Sequence, residues 1–504
     1  MTVSPARAAA FDILLRVETT NAYASELLHS SRLNALSPAD HGLATEIVMG
    51  VLRWRSVLDE QIAAHIPQPI AKLDAEVIAA LRIGAYQLLF LDRIPAHAAI
   101  NDSVELVKKA RKRSAAGMVN AVLRKINPAS AKAGVDSGRA FSKNKTQALS
   151  SRAQPRDLLS TGPQQPSSGT ADAAFSETDK SDPSESTPRR QSDNRSPFDS
   201  LPPVAQDDSV LAAHPNWLVA KWTQLYGAGA ARKICTYDQQ PPRTAIRADA
   251  ALAEELVQEG IELEPGRLLS SARVVVQGDV TRSKAFRERR LAIQDEGSQL
   301  VALLLGHGQR ILDCCAAPGG KTRIIAEQNP HARVLALDLH PHRAALLQRL
   351  VSLPNVDVVA ADARRIPFAA HFDRILLDAP CTGTGTLARN PEIKWRLNPN
   401  DVARLQAYQL EILKSSMQHL SPGGQLLYST CSLEPEENEL VIEQALLAGP
   451  GFRVSNLRDR LTALRDDGVL AWEDMDSLIS GPYLRTIPGL HPCDGFFAAL
   501  LERE

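Results

Sequence analysis

Two short cysteine-bearing stretches hold the most reactive side chains of this 504-residue chain. One reads Leu376-Leu377-Asp378-Ala379-Pro380-Cys381 and the other Tyr428-Ser429-Thr430-Cys431-Ser432. Each thiol follows a short apolar run of strand character, so each falls in a loop among polar residues. A cysteine in a strand-rich region is ordinarily a small buried hydrophobe. That plain reading is kept for Cys235, Cys314 and Cys493, and the loop positions reverse it for Cys381 and Cys431. No CxxC pair or close Cys/His spacing is present, so no metal site is expected. A free thiol has a pKa of about 8.5 and needs a helix N-terminus or a cation to become a nucleophile. Lys321 is one such cation, and it reads equally as a structural or cofactor contact.

A third stretch, Asp313-Cys314-Cys315-Ala316-Ala317-Pro318-Gly319-Gly320-Lys321-Thr322, follows a strand-like run and opens a helix. Its glycines let backbone approach a ligand, and the helix start offers free N–H donors. A P-loop would require glycine where Cys315 stands, so a triphosphate reading fails at a defining residue. S-adenosylmethionine needs a backbone cradle for its amino-acid end and an acid for its ribose hydroxyls. The next strand-like run ends in Asp338, and the one after leads to Ala361-Asp362-Ala363, suited to the adenine edge. Either acid alone also reads as a helix cap, Asp362 above all.

A methyl donor beside a thiol points to one kind of reaction. C5 of cytosine is too weak a nucleophile to attack a methyl group unaided. A thiolate adding at C6 turns the ring into an enamine whose C5 can attack. The C5 proton must then leave and the cysteine be expelled. A group that favours protonation or hydrogen bonding at ring N3 would assist.

The elements that position these residues follow from periodicity. From Leu291 onward, strand-like runs (Arg310 to Asp313, Arg333 to Asp338, Val356 to Ala360, Arg374 to Asp378, Gln425 to Ser429) alternate with helical patterns (His342 to Leu350, Asp401 to Leu420). That alternation predicts an open, mostly parallel, doubly wound sheet, with every motif at a carboxyl end of a strand. Residues 209–290 read as a small α+β module, with strands Thr244–Arg247 and Ala272–Val276 and a helix over Ala251–Glu259. Residues 1–128 read as helical: Ser37-Pro38-Ala39-Asp40 starts a helix that Leu43, Ile47, Val51, Leu58 and Ile62 continue. Val77, Leu81, Leu88 and Leu91 mark a second run. Val104, Val107, Val119, Val122 and Ile126 mark a third, broken near Gly117. Together these runs predict a bundle. Its basic run, Lys108-Lys109-Ala110-Arg111-Lys112-Arg113, is either a solvated helix face or a phosphate contact.

Residues 129–208 are rich in Ser, Pro, Ala, Gln, Asp and Arg and poor in bulky apolar side chains. Such a segment is expected to be a disordered linker. The chain carries 57 Lys+Arg against 58 Asp+Glu, so any basic surface must be local. Six scattered cysteines suit a reducing compartment rather than a disulfide framework. Met1 to Arg16 holds no long apolar run, so neither signal peptide nor membrane helix is expected, and a cytoplasmic location is the default.

The motifs resemble the bacterial ribosomal RNA cytosine-C5 methyltransferases of the RsmB, Sun or Fmu family. The matching stretches are Asp313 to Thr322, Asp378 to Cys381, Pro391-Glu392-Ile393-Lys394-Trp395, Ser429 to Asn438, and Asp494-Gly495-Phe496-Phe497. Asn120-Ala121-Val122-Leu123-Arg124 looks like part of a NusB-like RNA-binding domain. The resemblance implies a multidomain protein: an all-α NusB-like bundle, the α+β module, then a Rossmann-like, doubly wound α/β methyltransferase domain over 291–504. It makes Cys431 the nucleophile and Cys381 the residue that assists product release, whereas DNA cytosine methyltransferases attack from the Pro-Cys motif. It carries S-adenosylmethionine contacts onto Cys315, Ala316, Ala317, Pro318, Gly319, Gly320, Lys321, Asp338, Asp362 and Asp378, with Asp378 also able to touch the base. The implied partner is small-subunit (16S) ribosomal RNA, methylated as at cytosine 967, by a monomer needing neither metal nor membrane. A transfer-RNA cytosine-C5 methyltransferase and a non-catalytic antitermination-type RNA-binding factor are the alternatives.

Overall fold

The structure, a computed structural model, describes residues 3–20, 22–30, 33, 35–126 and 209–504. The segment 129–208, read above as a linker, lies outside them.

Among the described residues seven α-helices form the N-terminal bundle: Pro5–Thr19, Ala24–Leu28, Pro38–Arg53, Arg55–Ala63, Ala75–Phe90, Ala96–Lys109 and Ala116–Lys125. Ser37 caps the third by accepting the Asp40 N–H at 3.1 Å, as its sequence requires. Ile47, Val51, Leu58, Ile62, Val77, Leu81, Val107, Val119, Val122 and Ile126 share one core. The break expected near Gly117 lies earlier, over residues 110–115, where Arg111 takes a left-handed φ of 64°. Gly117 itself sits inside the last helix. In the basic run, Lys108 pairs with Glu105 and Lys112 with Asp74, while Lys109, Arg111 and Arg113 are exposed and have no carboxylate partner among the described residues.

Helices Asn216–Tyr226 and Ala228–Asp238 pack Leu218, Trp222 and Ile234 against Leu387 and Leu433 of the catalytic part. An antiparallel sheet of order β1-β3-β2 follows, from β1 (Thr244–Arg247), β2 (Glu262–Pro265) and β3 (Ala272–Gln277). Helix Ala250–Gln258 lies between β1 and β2.

The main sheet contains β4 (Arg310–Cys314), β5 (Arg333–Asp338), β6 (Val356–Ala360), β7 (Phe372–Asp378) and β8 (Leu420–Thr430), all parallel. The chain runs outward through β4, β5 and β6, then returns to the other side of β4 for β7 and β8. The crevice at that reversal, between the ends of β4 and β7, is where such sheets bind ligands. The far edge is antiparallel: β12 (Phe496–Arg503) pairs with β8, β11 (Tyr483–Thr486) and β9 (Phe452–Ser455), and β10 (Ile479–Ser480) pairs with β11. The sheet is therefore mixed, and four of its nine strands lie outside the parallel pattern expected from sequence. No helix among the described residues is long and apolar enough to cross a membrane.

The bundle is bolted to the catalytic part through residues 388–396. Lys394 donates to Arg53 O at 3.0 Å and Trp395 to Leu52 O at 2.6 Å, both at a helix C-terminus where cations are favoured. Arg53 in turn donates to Ala388 O at 3.0 Å. Beneath this joint Asp238 is wholly buried, 3.4 Å from His214 Nε2. Among the described residues no side chain donates to its carboxylate, and the Ala388 N–H only partly offsets its burial. Burial pushes Asp238 up to about 8, against the opposing charges of Lys394 and Arg53 and with that of Asp494. Burial also lowers Lys394 to about 7 and holds His214 low. Between about pH 4 and pH 8 the unfolded chain has released the Asp238 proton that the folded chain keeps, so this group costs stability as pH rises. Asp238→Asn should therefore gain on the wild type progressively across that window in urea unfolding. A difference that stays flat would mean Asp238 is ionised in the fold.

Candidate active site

The turn after β4 is built by backbone. Cys315 takes a left-handed φ of 59°, uncommon for a residue with a Cβ, and Gly319 takes 110°. A Cβ at Gly319 would lie 2.4 Å from Leu347 and 2.5 Å from Val351, so only glycine fits. Helix Gly320–Gln328 starts there, and its first N–H donors point to the crevice without a helical acceptor. Arg343 holds the turn by donating to Ala317 O at 3.0 Å. Asp313, buried beneath it, accepts the Thr322 hydroxyl at 2.6 Å while its other oxygen has no partner. Burial pushes Asp313 up to about 7.

Asp338 ends β5, 3% exposed. One of its oxygens accepts the His340 N–H at 3.0 Å. The other has only Arg343 at 3.7 Å and accepts no hydrogen bond. Asp362 behaves differently. Arg364 takes both its oxygens, from side chain and backbone, and holds its carboxyl below the usual range. It caps the turn over residues 363–365, the plainer of its two sequence readings. A buried acid with a free lone-pair direction, beside a glycine turn with open donors, fits the ribose and amino-acid ends of S-adenosylmethionine.

The cysteines come together through strand register. Asp378 of β7 stands opposite Ser429 of β8, and the Ser429 hydroxyl donates to it at 2.9 Å. Both strands then leave the sheet side by side, and Cys381 Sγ lies 3.4 Å from Cys431 Sγ. The hydrogen bond to Cys431 and burial hold the Cys381 thiol well above its ordinary range. Lys321 donates to the other oxygen of Asp378 at 2.8 Å. Burial alone would lower Lys321, but Asp378, Cys431 and Asp313 outweigh it, so the ammonium stays charged beside the thiols. Cys235, Cys314 and Cys493 are buried, as ordinary core cysteines are.

Several residues at the centre of this site were not singled out from sequence. Glu437, fully buried, accepts the Thr382 N–H at 2.9 Å, Gln409 Nε2 at 2.9 Å, the Ser432 hydroxyl at 2.5 Å and the Thr382 hydroxyl. It thereby ties the loop after Cys381 to the loop after Cys431. Asn438 adds bonds to Thr430 and Ser432. Both lie within the Ser429–Asn438 stretch, where an acid and an amide soon after a loop cysteine were the available signal. A third loop meets them at Gly385, whose N–H donates to Cys431 O at 2.9 Å and whose carbonyl accepts the Gly495 N–H at 2.8 Å. A Cβ on Gly385 would sit 2.3 Å from Gly495 O.

An open sheet with its crevice between β4 and β7, a glycine turn and acids at the following strand ends define a Rossmann-like, S-adenosylmethionine-dependent methyltransferase. A family model described as 16S rRNA methyltransferase RsmB/F matches residues 300–502, and the NusB family model matches residues 4–128. The probable ribosomal RNA small subunit methyltransferase B of Bacillus subtilis is 30% identical over 98% of this chain and 98% of its own. The chain belongs to the RsmB family of RNA methyltransferases. A putative methyltransferase of Mycobacterium tuberculosis is 32% identical over 99% of this chain and 97% of its own. The crystal structure of PH0851 shares the fold over the whole of both chains, with a TM-score of 0.69 at 20% identity.

Glu437→Ala would strip the acceptor from the buried Thr382 N–H and remove one partner each from Gln409, Ser432 and the Thr382 hydroxyl. It should cost about 3 kcal/mol or more in urea unfolding and cut methyl transfer. Affinity for S-adenosylmethionine should hold, since Glu437 does not touch the glycine turn. An unchanged unfolding midpoint would mean the two loops are held by other contacts.

Proposed function

We propose that this protein methylates C5 of a cytosine in small-subunit 16S ribosomal RNA, at the position 967 implied by the family resemblance, through a covalent bond from Cys431 to C6. The observation that carries this reading is the pair of thiols 3.4 Å apart at adjacent strand ends, beside a charged lysine and the cofactor turn. S-adenosylmethionine supplies an electrophilic methyl group when bound. The backbone from Cys315 to Gly320 would hold its amino-acid end together with Lys321 and Asp378. Asp338 would take the ribose hydroxyls, and Asp362, already paired with Arg364, would border the adenine.

The thiolate form of Cys431 is the attacking species, and Lys321 holds its positive charge in the same cleft. Cys431 Sγ bonds to C6, and the C5–C6 electron pair becomes available at C5. Asp378 receives the amino edge of the base. After methylation C5 gives its proton to solvent water, the C5–H electron pair re-forms the C5–C6 double bond, and Cys431 leaves as a thiolate. Cys381 keeps its proton and donates to the departing sulfur, which lowers the cost of that charge. This division of labour assigns the chemistry to residues 291–504 and RNA holding to the bundle over 1–128 and the module over 209–290. Residues 129–208 join the two halves. The protein acts as a monomer in the cytoplasm.

Two experiments test this reading. Changing the exposed cations Lys109, Arg111 and Arg113 to Ala should weaken RNA binding and lower its log–log salt slope by about 2. Affinity for S-adenosylmethionine should be unaffected. An unchanged slope would return the run to a solvated surface. Cys431→Ser should form neither 5-methylcytosine nor a protein–RNA adduct. Cys381→Ser should transfer the methyl group and then stall, leaving methylated RNA attached to the protein on a denaturing gel. That band should vanish in the double variant. A trapped band in Cys431→Ser alone would reverse the two roles.

A further inference from the structure

Residues 22–25 of the bundle, at the start of its second helix, lie against the segment that follows Cys381. Ala24 N–H donates to Glu392 at 2.8 Å, Ser25 Oγ to Asn390 at 3.2 Å, and Arg396 donates to Ala22 O at 2.7 Å. Backbone is thus pinned on both sides of Tyr23. Its neighbour Ala24 is completely buried, yet Tyr23 is 41% exposed. Among the described residues the Tyr23 side chain has no hydrogen bond, ring stack or cation–π contact, and it belongs to no core cluster. Burial nevertheless raises its phenol, and Cys431, Cys381 and Glu392 raise it further while Arg396 opposes them. The segment that its neighbours grip leads to the thiols: a Cβ on Gly383 would lie 3.1 Å from Ile393 Cδ1 and 4.0 Å from Cys431 Sγ. A large aromatic side chain held by its backbone beside that segment, and still 41% exposed, has surface left to meet a substrate.

Resting on the methylation reading above, we propose that Tyr23 is a substrate-contacting residue of the catalytic cleft and stacks on the target cytosine once that base has left its helix. An extruded base loses its stacking neighbours, and an aromatic ring at the mouth of the site replaces one of them. Adduct formation at C6 also needs the base plane fixed relative to Cys431, which a ring on a pinned backbone provides. The side chain that orients the base then comes from the bundle, and the thiol that attacks it comes from the sheet.

The test uses the full chain and an RNA fragment of the small subunit in which methylation has been mapped. Tyr23→Ala should lower kcat/KM for RNA about ten- to a hundredfold, the usual effect of deleting one base-stacking ring. Tyr23→Phe should stay within about threefold of the wild type. Affinity for S-adenosylmethionine and the unfolding midpoint should not change in either variant. Pyrrolocytosine at the mapped position supplies a readout that docking of the bundle would not move. Its emission should be quenched by the wild type and by Tyr23→Phe, and should recover with Tyr23→Ala. Activity restored fully by Tyr23→Leu, or equal emission with all variants, would overturn stacking in favour of packing. Wild-type protein that yields no 5-methylcytosine would sink the methylation reading and this proposal with it. A methylating wild type matched by Tyr23→Ala would sink the proposal alone.

Discussion

The parallel register of β7 and β8 is the constraint on which the site depends. Asp378 and Ser429 are partners in that ladder, so the chain leaves both strands at the same height. Two cysteines separated by 50 positions thereby come within hydrogen-bonding distance. Register in a sheet buried on both faces is strongly determined, because a slip would carry polar residues into the core. Leu376 and Leu377 on one strand and Leu426 and Leu427 on the other are all fully buried. The thiol pair inherits its placement from that packing. Glu437 then keeps the loops from drifting once they leave the ladder.

Chemistry-bearing residues were the most legible part of the sequence, because each sat where an apolar run stopped. β5, β6 and β1 have the bounds their apolar patterns indicate, and the glycine turn lies where the first strand of the main sheet ends. Other elements left weaker marks. β2 reads Glu-Leu-Glu-Pro and is held by its neighbour β3 rather than by apolar burial, so periodicity passed over it. β9, β10 and β11 are two to four residues long, too short for a pattern. β12 is a continuous apolar run, which alone does not separate strand from buried helix. Asp362 illustrates a different limit: an acid after a strand serves as ligand or cap, and only the position of Arg364 shows which bonds it makes. Tyr23 gave no signal at all, since its meaning depends on the distant segment that its neighbours grip.

The joint between the halves explains why the Pro391–Trp395 stretch belongs with the catalytic motifs although it carries no nucleophile or cofactor contact. Its Glu392, Lys394 and Trp395 side chains all reach backbone groups of the bundle. Lys394 and Asp238 pass through this joint with their charges largely unbalanced by hydrogen bonds, an expensive arrangement unless each sheds its charge near neutrality. A lysine there extends further than an apolar residue of similar volume and still ends on a carbonyl. The loop after Cys381 is therefore fastened at one end to the sheet and at the other to the bundle.

The contact of Gly385 with Gly495 bears on how such a site tolerates change. The spacing between these loops is fixed by the thickness of backbone against backbone, with no side chain interposed. Substitutions in the surrounding core alter side-chain volumes and shift helices, but they act on this contact only through the strands. The reactive centre is in this sense insulated: sequence can drift widely around it while the distance between the two sulfurs is left alone.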